Sequence, residues 1–168
     1  VHEPRLGHLR APRGRVTLPA ALRFPGGGWV ASSGALIPLA IALAAWWVPD
    51  DADQGYSQRI FYFHVPIALT AYACFAWGAW KALLHLWKRP DGADLESYVA
   101  IHQGVIFGTL TLLTGSLWAK ISWGVWWAWS DNQLVLFLVL FLFYSAYFML
   151  RYSVDPGPAR ANMCAVYA

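Results

Sequence analysis

Charge is scarce in this chain, and so is most of the chemistry that depends on it. Only 12% of its 168 residues are Asp, Glu, Lys or Arg, against roughly 25% in an average globular chain. Cysteine is almost missing. Cys74 and Cys164 lie far apart, with no C-x-x-C and no C-x-x-C-H. That excludes a thioredoxin-type redox pair and a covalent haem attachment site on this chain. No H-E-x-x-H or Cys/His zinc spacing occurs, and no G-x-S-x-G, Walker loop or dinucleotide fingerprint. Hydrolase, ATPase and dehydrogenase chemistry therefore has no support, and the chain is expected to be no enzyme. No internal repeat appears at solenoid periods.

What is present is apolar surface: 58% of the residues are hydrophobic, and 11 are Trp. The expected fold class is all-α, a polytopic integral membrane helical bundle of four transmembrane helices with an external Trp-rich loop. Residues 1–28 are rich in Arg, Pro and Gly without periodicity and read as a disordered basic N-terminal tail. Its arginines, Arg5, Arg10, Arg13, Arg15 and Arg23, precede an apolar stretch. In that place they read as a cytoplasmic anchor rather than a nucleic-acid tail. Residues 29–168 form the membrane domain, with spans at about 29–48, 60–87, 98–118 and 134–150. About 20 residues of helix cross a bilayer core. The first span is long for a signal core and reads as a retained anchor rather than a cleaved leader. Pro66 falls near the start of the second span, where a missing N–H is harmless. Cys74 reads as a small buried apolar residue.

Lys and Arg cluster before the first span, between the second and third (Lys81, Lys88, Arg89), and after the fourth (Arg151, Arg160). The positive-inside rule places both termini in the cytoplasm and the segments 49–60 and 119–133 outside. Both informative segments thus share one side. In the second, Trp118, Trp123, Trp126, Trp127 and Trp129 crowd into twelve residues. The spacing 123, 126, 127 puts three rings on one face of a short interfacial helix. Two readings of that face stay open: a lipid headgroup belt, or a platform for a large planar apolar ligand. His64 sits at the outer mouth of the second span. A lone His is most often structural, but ionisable groups at membrane depth tend to be functional, and neutral imidazole is a good haem-iron ligand. Arg59 is either an ordinary juxtamembrane charge or a partner for a ligand's carboxylates. His85 and His102 read as satisfied interhelical polar residues, and His2 and His8 belong to the tail.

Three segments carry a family resemblance: Gln58-Arg59-Ile60-Phe61-Tyr62-Phe63-His64-Val65-Pro66, Thr114-Gly115-Ser116-Leu117-Trp118-Ala119-Lys120, and Trp123-Gly124-Val125-Trp126-Trp127-Ala128-Trp129. Together they resemble the CcmC family, the haem exporter C proteins of cytochrome c maturation, over roughly 29–168. The resemblance implies transient binding of haem b at the outer face of the bacterial inner membrane and its transfer to the haem chaperone CcmE, beside the ABC-type subunits CcmA and CcmB. It implies His64 as an axial ligand to the haem iron. It implies Trp123, Gly124, Trp126, Trp127, Trp129 and Asp131 as haem-binding, with Arg59 beside them. Lipid is the other expected partner, and nucleic acid is not one. Two departures stand out. Asp131 matches the family's motif Asp only if Ser130 is an inserted residue, and Asn132 and Gln133 stand where the family carries Ala or Pro and then Arg. The family also has six spans with a second axial histidine between the last two, so the chain is expected to be C-terminally truncated relative to it. The alternatives are a CcsA-type haem lyase component, or an inactive membrane fragment without ligand.

Overall fold

The computed structural model describes the backbone of residues 28–168 and the side chains of 32–168. The expectations for the tail at 1–27, including its arginines, lie outside the described residues. Residues up to Ala40 and residues Ile41–Ala168 are separate units. In the first, α1 (Gly28–Ala42) carries exposed Leu36, Ile37 and Leu39. In the second, the chain continues from α1 through a π-helical turn, Leu43–Trp47, and a short loop to a 3-10 turn, Tyr56–Ile60. Then follow α2 (Phe61–Lys88), α3 (Ala93–Trp123), α4 (Asn132–Ser153) and α5 (Pro158–Tyr167). Among the described residues, regular structure is helical apart from one isolated bridge, Asp51 to Gly55.

Three of these helices, α2 with its 3-10 lead-in, α3 and α4, are long and apolar enough to cross a membrane. The first apolar helix is shorter, described over Ser32–Trp47. The protein is an all-α polytopic membrane bundle. The boundaries shift in three informative ways. Helix α3 runs to Trp123, five residues beyond the end expected from hydropathy, because nothing before Gly124 breaks it. Pro66 lies in the second turn of α2 rather than at its first position, so the Tyr62 carbonyl has no residue-66 N–H to receive. A further helix, α5, follows the last expected span: Pro158 occupies its first turn, where its fixed φ suits a helix.

Packing is closest between α2 and α3, and small residues make it so. A Cβ added to Gly78 would lie 2.6 Å from the Ile101 side chain. One at Gly104 would lie 2.6 Å from the Phe75 ring, and between α3 and α4 one at Gly108 would lie 2.9 Å from Phe141. Lipid offers no hydrophobic penalty to separated helices, so close backbone approach and interhelical hydrogen bonds hold the pair. Ser97 supplies one such bond, its hydroxyl donating 2.9 Å to the Gly78 carbonyl. The core gathers Ala71, Phe75, Ile101, Phe137, Tyr144, Tyr147 and Cys164, with Phe75 stacked on Tyr144 at 4.4 Å. Cys74 is only half-buried, whereas Cys164 is enclosed.

Polar ties mark the two ends of the bundle. At one end Arg151 donates two 2.9 Å bonds to the Asp94 carboxylate and a third, 3.0 Å, to the Tyr147 hydroxyl, with its side chain 8% exposed. Lys81 pairs with Glu96 at 2.5 Å, and His85 bonds Asn162 of α5 at 3.3 Å. His85 is thus an interhelical polar residue, as expected. His102 is exposed, and its contacts are rings: Tyr98 at 6.0 Å and Phe148 at 5.7 Å. At the other end Ser57 and Ser122 approach to 3.2 Å, which joins the two expected outer segments. There the Asp51 carboxylate accepts bonds from the Gln54 and Asp53 N–H groups, which hold its pKa below the usual carboxylate range. The order it lends this loop is present above the ordinary carboxylate pKa and fades as pH falls through the lowered value.

The seam predicts a contrast between two glycines. Gly104→Ala should destabilise the bundle by about 1–3 kcal/mol through overpacking against Phe75. Gly34→Ala, with nothing near the added methyl, should be neutral or slightly stabilising. Denaturant unfolding of the detergent-solubilised variants by circular dichroism measures both; equal effects would refute a tight seam at Gly104.

Candidate functional site

Two helical faces and one loop enclose an elongated groove of about 410 Å³. On α2 the lining residues are Phe61, His64, Val65, Ala68, Leu69 and Tyr72, which recur at helical spacing along one stripe. On α3 they are Thr111, Leu112, Gly115, Trp118, Ala119 and Trp123. Trp127, Asp131, Gln133, Leu134 and Phe137 close the groove from the loop and α4. The walls are mostly apolar with a few polar groups, the usual character of a site for an apolar ligand.

His64 is half-buried, with its Nδ1 2.9 Å from the Thr114 hydroxyl oxygen. Its ring lies against Gly115, where an added Cβ would sit 3.0 Å from His64 Cε1. Edge-to-face contacts continue along the wall. Phe61 lies 6.4 Å from His64 and 5.0 Å from Trp118, and Trp118 lies 4.8 Å from Trp123. The indole nitrogens of Trp118 and Trp127 are buried with no hydrogen-bond partner. An unpaired buried donor is costly, and both belong to groove-lining residues.

The loop between α3 and α4 is built by its two residues of special backbone chemistry. Gly124 ends α3 with φ +76°, a left-handed conformation that a side chain resists, and its N–H donates 3.2 Å to the Lys120 carbonyl. Lys120 Nζ donates 2.9 Å to the Gly124 carbonyl and lies 5.9 Å from the Trp126 ring centre. Asp131 caps α4, its Oδ1 accepting from the Gln133 N–H at 2.9 Å and the Leu134 N–H at 3.0 Å. A turn precedes it, with the Asp131 N–H donating 3.1 Å to the Ala128 carbonyl.

The expected site residues therefore divide. His64, Trp123, Trp127 and Asp131 meet at the groove. Gly124 adjoins it as the helix terminator. Trp126 and Trp129 are 61% and 72% exposed and stand outside the lining. The interfacial helix expected to align Trp123, Trp126 and Trp127 does not form: Trp123 ends α3, and the other two lie in irregular loop. Arg59 is turned away from the groove. It donates to the Ala45 carbonyl, to the Val48 carbonyl at 3.1 Å and to Asp50 at 3.0 Å, and it lies 4.6 Å from the Tyr56 ring centre. Thr114, Gly115 and Trp118 carry no expected site role, yet Thr114 holds His64 and the other two line the groove. The register of Thr111, Gly115 and Trp118, one helical stripe, is the signal that finds this face. Among the described residues no group of three or more His, Cys, Asp or Glu forms a metal cluster.

Comparison with known proteins identifies the family. The family described as Heme exporter protein C matches residues 21–168. A Heme exporter protein C of Bradyrhizobium diazoefficiens is 38% identical over 141 residues, covering 82% of this chain and 51% of the relative. That of Paracoccus denitrificans is 32% identical over 145 residues, covering 80% and 60%. That of Escherichia coli is 32% identical over 133 residues, covering 76% and 54%. The chain thus spans between half and three-fifths of the length of these relatives.

The cap assignment separates structure from ligand contact at Asp131. Asp131→Ala should cost about 1 kcal/mol of stability, while Asp131→Asn, whose side-chain oxygen also caps, should cost little. Thermal unfolding of the two variants in detergent tests this; an Asn variant as damaged as the Ala variant would show that the charge, not the cap, is what matters.

Proposed function

The chain belongs to the Heme exporter protein C family, and from that premise we propose that its groove binds haem and passes it on during cytochrome c-type biogenesis. The single observation that carries the reading is the convergence of His64 with Trp118, Trp123 and Trp127 around one apolar groove. A porphyrin supplies four equatorial nitrogens itself, so one protein imidazole is enough to engage the iron. His64 would hold the iron. The indole rings would face the macrocycle, and their unpaired N–H groups on Trp118 and Trp127 would meet acceptors at its edge. Asp131 and Gln133 supply the polar rim. In this reading Arg59 steadies the approach to α2 instead of pairing with the ligand's carboxylates, and Trp126 and Trp129 serve the lipid boundary.

Transfer needs an affinity that can be given up. An open, mostly apolar groove suits a carrier better than a permanent haem protein, since a state that binds too tightly cannot release. We place the groove at the outer face of the inner membrane, with both termini cytoplasmic. That follows from the basic residues Lys81, Lys88, Arg89, Arg151 and Arg160 at the opposite end. The proposed recipient is the haem chaperone CcmE, with CcmA and CcmB as neighbours, and the role is binding and delivery rather than bond-making.

Visible absorption of the chain purified from membranes and titrated with haem tests the reading. The wild-type chain should show a Soret band, His64→Ala should lose or shift it, and Trp127→Ala should weaken occupancy about tenfold, about 1.4 kcal/mol. Trp129→Ala should change occupancy less than threefold. Full occupancy with an unchanged band in both His64→Ala and Trp127→Ala would refute the groove as the haem site.

A further inference from the structure

The Thr114-Gly115 pair is what the His64 ring rests on. Thr114 lies on α3 and His64 on α2, and their contact is a side-chain bond between helices, 2.9 Å from Nδ1 to Oγ1. The Thr114 hydroxyl has one proton. It also stands 2.8 Å from the Leu110 carbonyl and 3.3 Å from the Thr111 carbonyl, both acceptors only. A proton spent on the Leu110 carbonyl leaves Oγ1 as an acceptor toward His64, and Nδ1 must then carry its own hydrogen. The opposite arrangement, with the hydroxyl donating to Nδ1, gives up the carbonyl bond and puts the ring proton on Nε2. One arrangement makes two hydrogen bonds and the other one.

We propose that Thr114 is a positioning residue that fixes the neutral His64 ring as its Nδ1–H tautomer and leaves Nε2, the nitrogen not tied to α3, with a free lone pair for a ligand. Gly115 is the second half of the device. Without a Cβ it lets the ring lie close enough to reach Thr114; a methyl there would stand 3.0 Å from Cε1 and push the ring aside. Metal-bound histidines generally donate their other ring N–H to a fixed acceptor, which sets the tautomer and the ring plane before the ligand arrives. The same arrangement here would present a prepared electron pair to an incoming iron. The metal-ligand part rests on the haem-binding reading above; the tautomer itself does not.

The test is nitrogen-15 NMR of the full chain, labelled at histidine and held in lipid nanodiscs without haem at about pH 8, above the ordinary histidine pKa. His64→Ala identifies the His64 signals. The expected result is a protonated Nδ1 and an unprotonated Nε2 on His64. Thr114→Ser should keep that pattern, and Thr114→Val should reverse it or mix the two tautomers while the bundle stays folded by circular dichroism. An Nε2-protonated ring in the wild-type chain overturns the proposal, as does a Thr114→Val chain with the wild-type pattern. Haem titration of the same samples keeps the two readings apart. The expected tautomer with no haem band refutes haem binding alone. A haem band lost in His64→Ala, with a tautomer indifferent to Thr114, refutes the positioning role alone.

Discussion

How closely α2 and α3 approach decides nearly everything at the groove. The seam is set by side chains that are missing, with Gly78 opposite Ile101, Gly104 opposite Phe75 and Gly115 opposite His64. In a membrane two helices have no hydrophobic reason to touch, because lipid tails are as apolar as leucine. What brings them together is dispersion between closely packed surfaces and the few polar bonds that lipid cannot replace. The bond from Ser97 to the Gly78 carbonyl and the His64–Thr114 contact sit at two depths of that interface. The groove-lining histidine is therefore the top rung of the same ladder that holds the pair together.

The bundle divides its polar ties by end. At the end with α5, Asp94, Arg151 and Tyr147 form a hydrogen-bonded group, with Lys81–Glu96 and His85–Asn162 nearby. A charge pair so enclosed gives little net stability, but breaking it strands a charge, so it fixes register more than it adds energy. At the groove end, apart from the Arg59–Asp50 pair, the ties are neutral or shared with backbone: Ser57 to Ser122, Arg59 to the carbonyls of Ala45 and Val48, Asp131 to the first turn of α4. The groove itself is lined mostly by apolar side chains, with His64 its one imidazole and Asp131 and Gln133 among its few polar groups.

Much of this was legible in the chain. Hydropathy located α2 and α4 to within a few residues, and counting Lys and Arg put the loops around Ser57 and Ser122 at one end before any contact was known. The convergence of His64 with Trp123, Trp127 and Asp131 follows from that sidedness. What escaped is equally specific. Hydropathy ends a span where polar residues begin, but a helix ends only where its backbone is broken, so α3 continues through Ala119, Lys120, Ile121 and Ser122 to Gly124. A linear run of tryptophans does not tell which rings turn inward once the loop is irregular, and Trp126 and Trp129 turn out. Arg59 looked free because its partners are carbonyls of an earlier helix, which no local pattern reveals. Helix α5 was not among the expected spans: it is short and opens on Pro158, so a membrane-length hydropathy window does not detect it.

The caps at Gly124 and Asp131 frame the loop like the two posts of a gate. Between them the first stretch hangs from the end of α3, with Lys120 clasping the Gly124 carbonyl and leaning on Trp126. The last stretch is a turn from Ala128 to Asp131. Ser130 falls inside that turn, so Trp127, the last ring of the loop to line the groove, is tied to the start of α4 through a single turn.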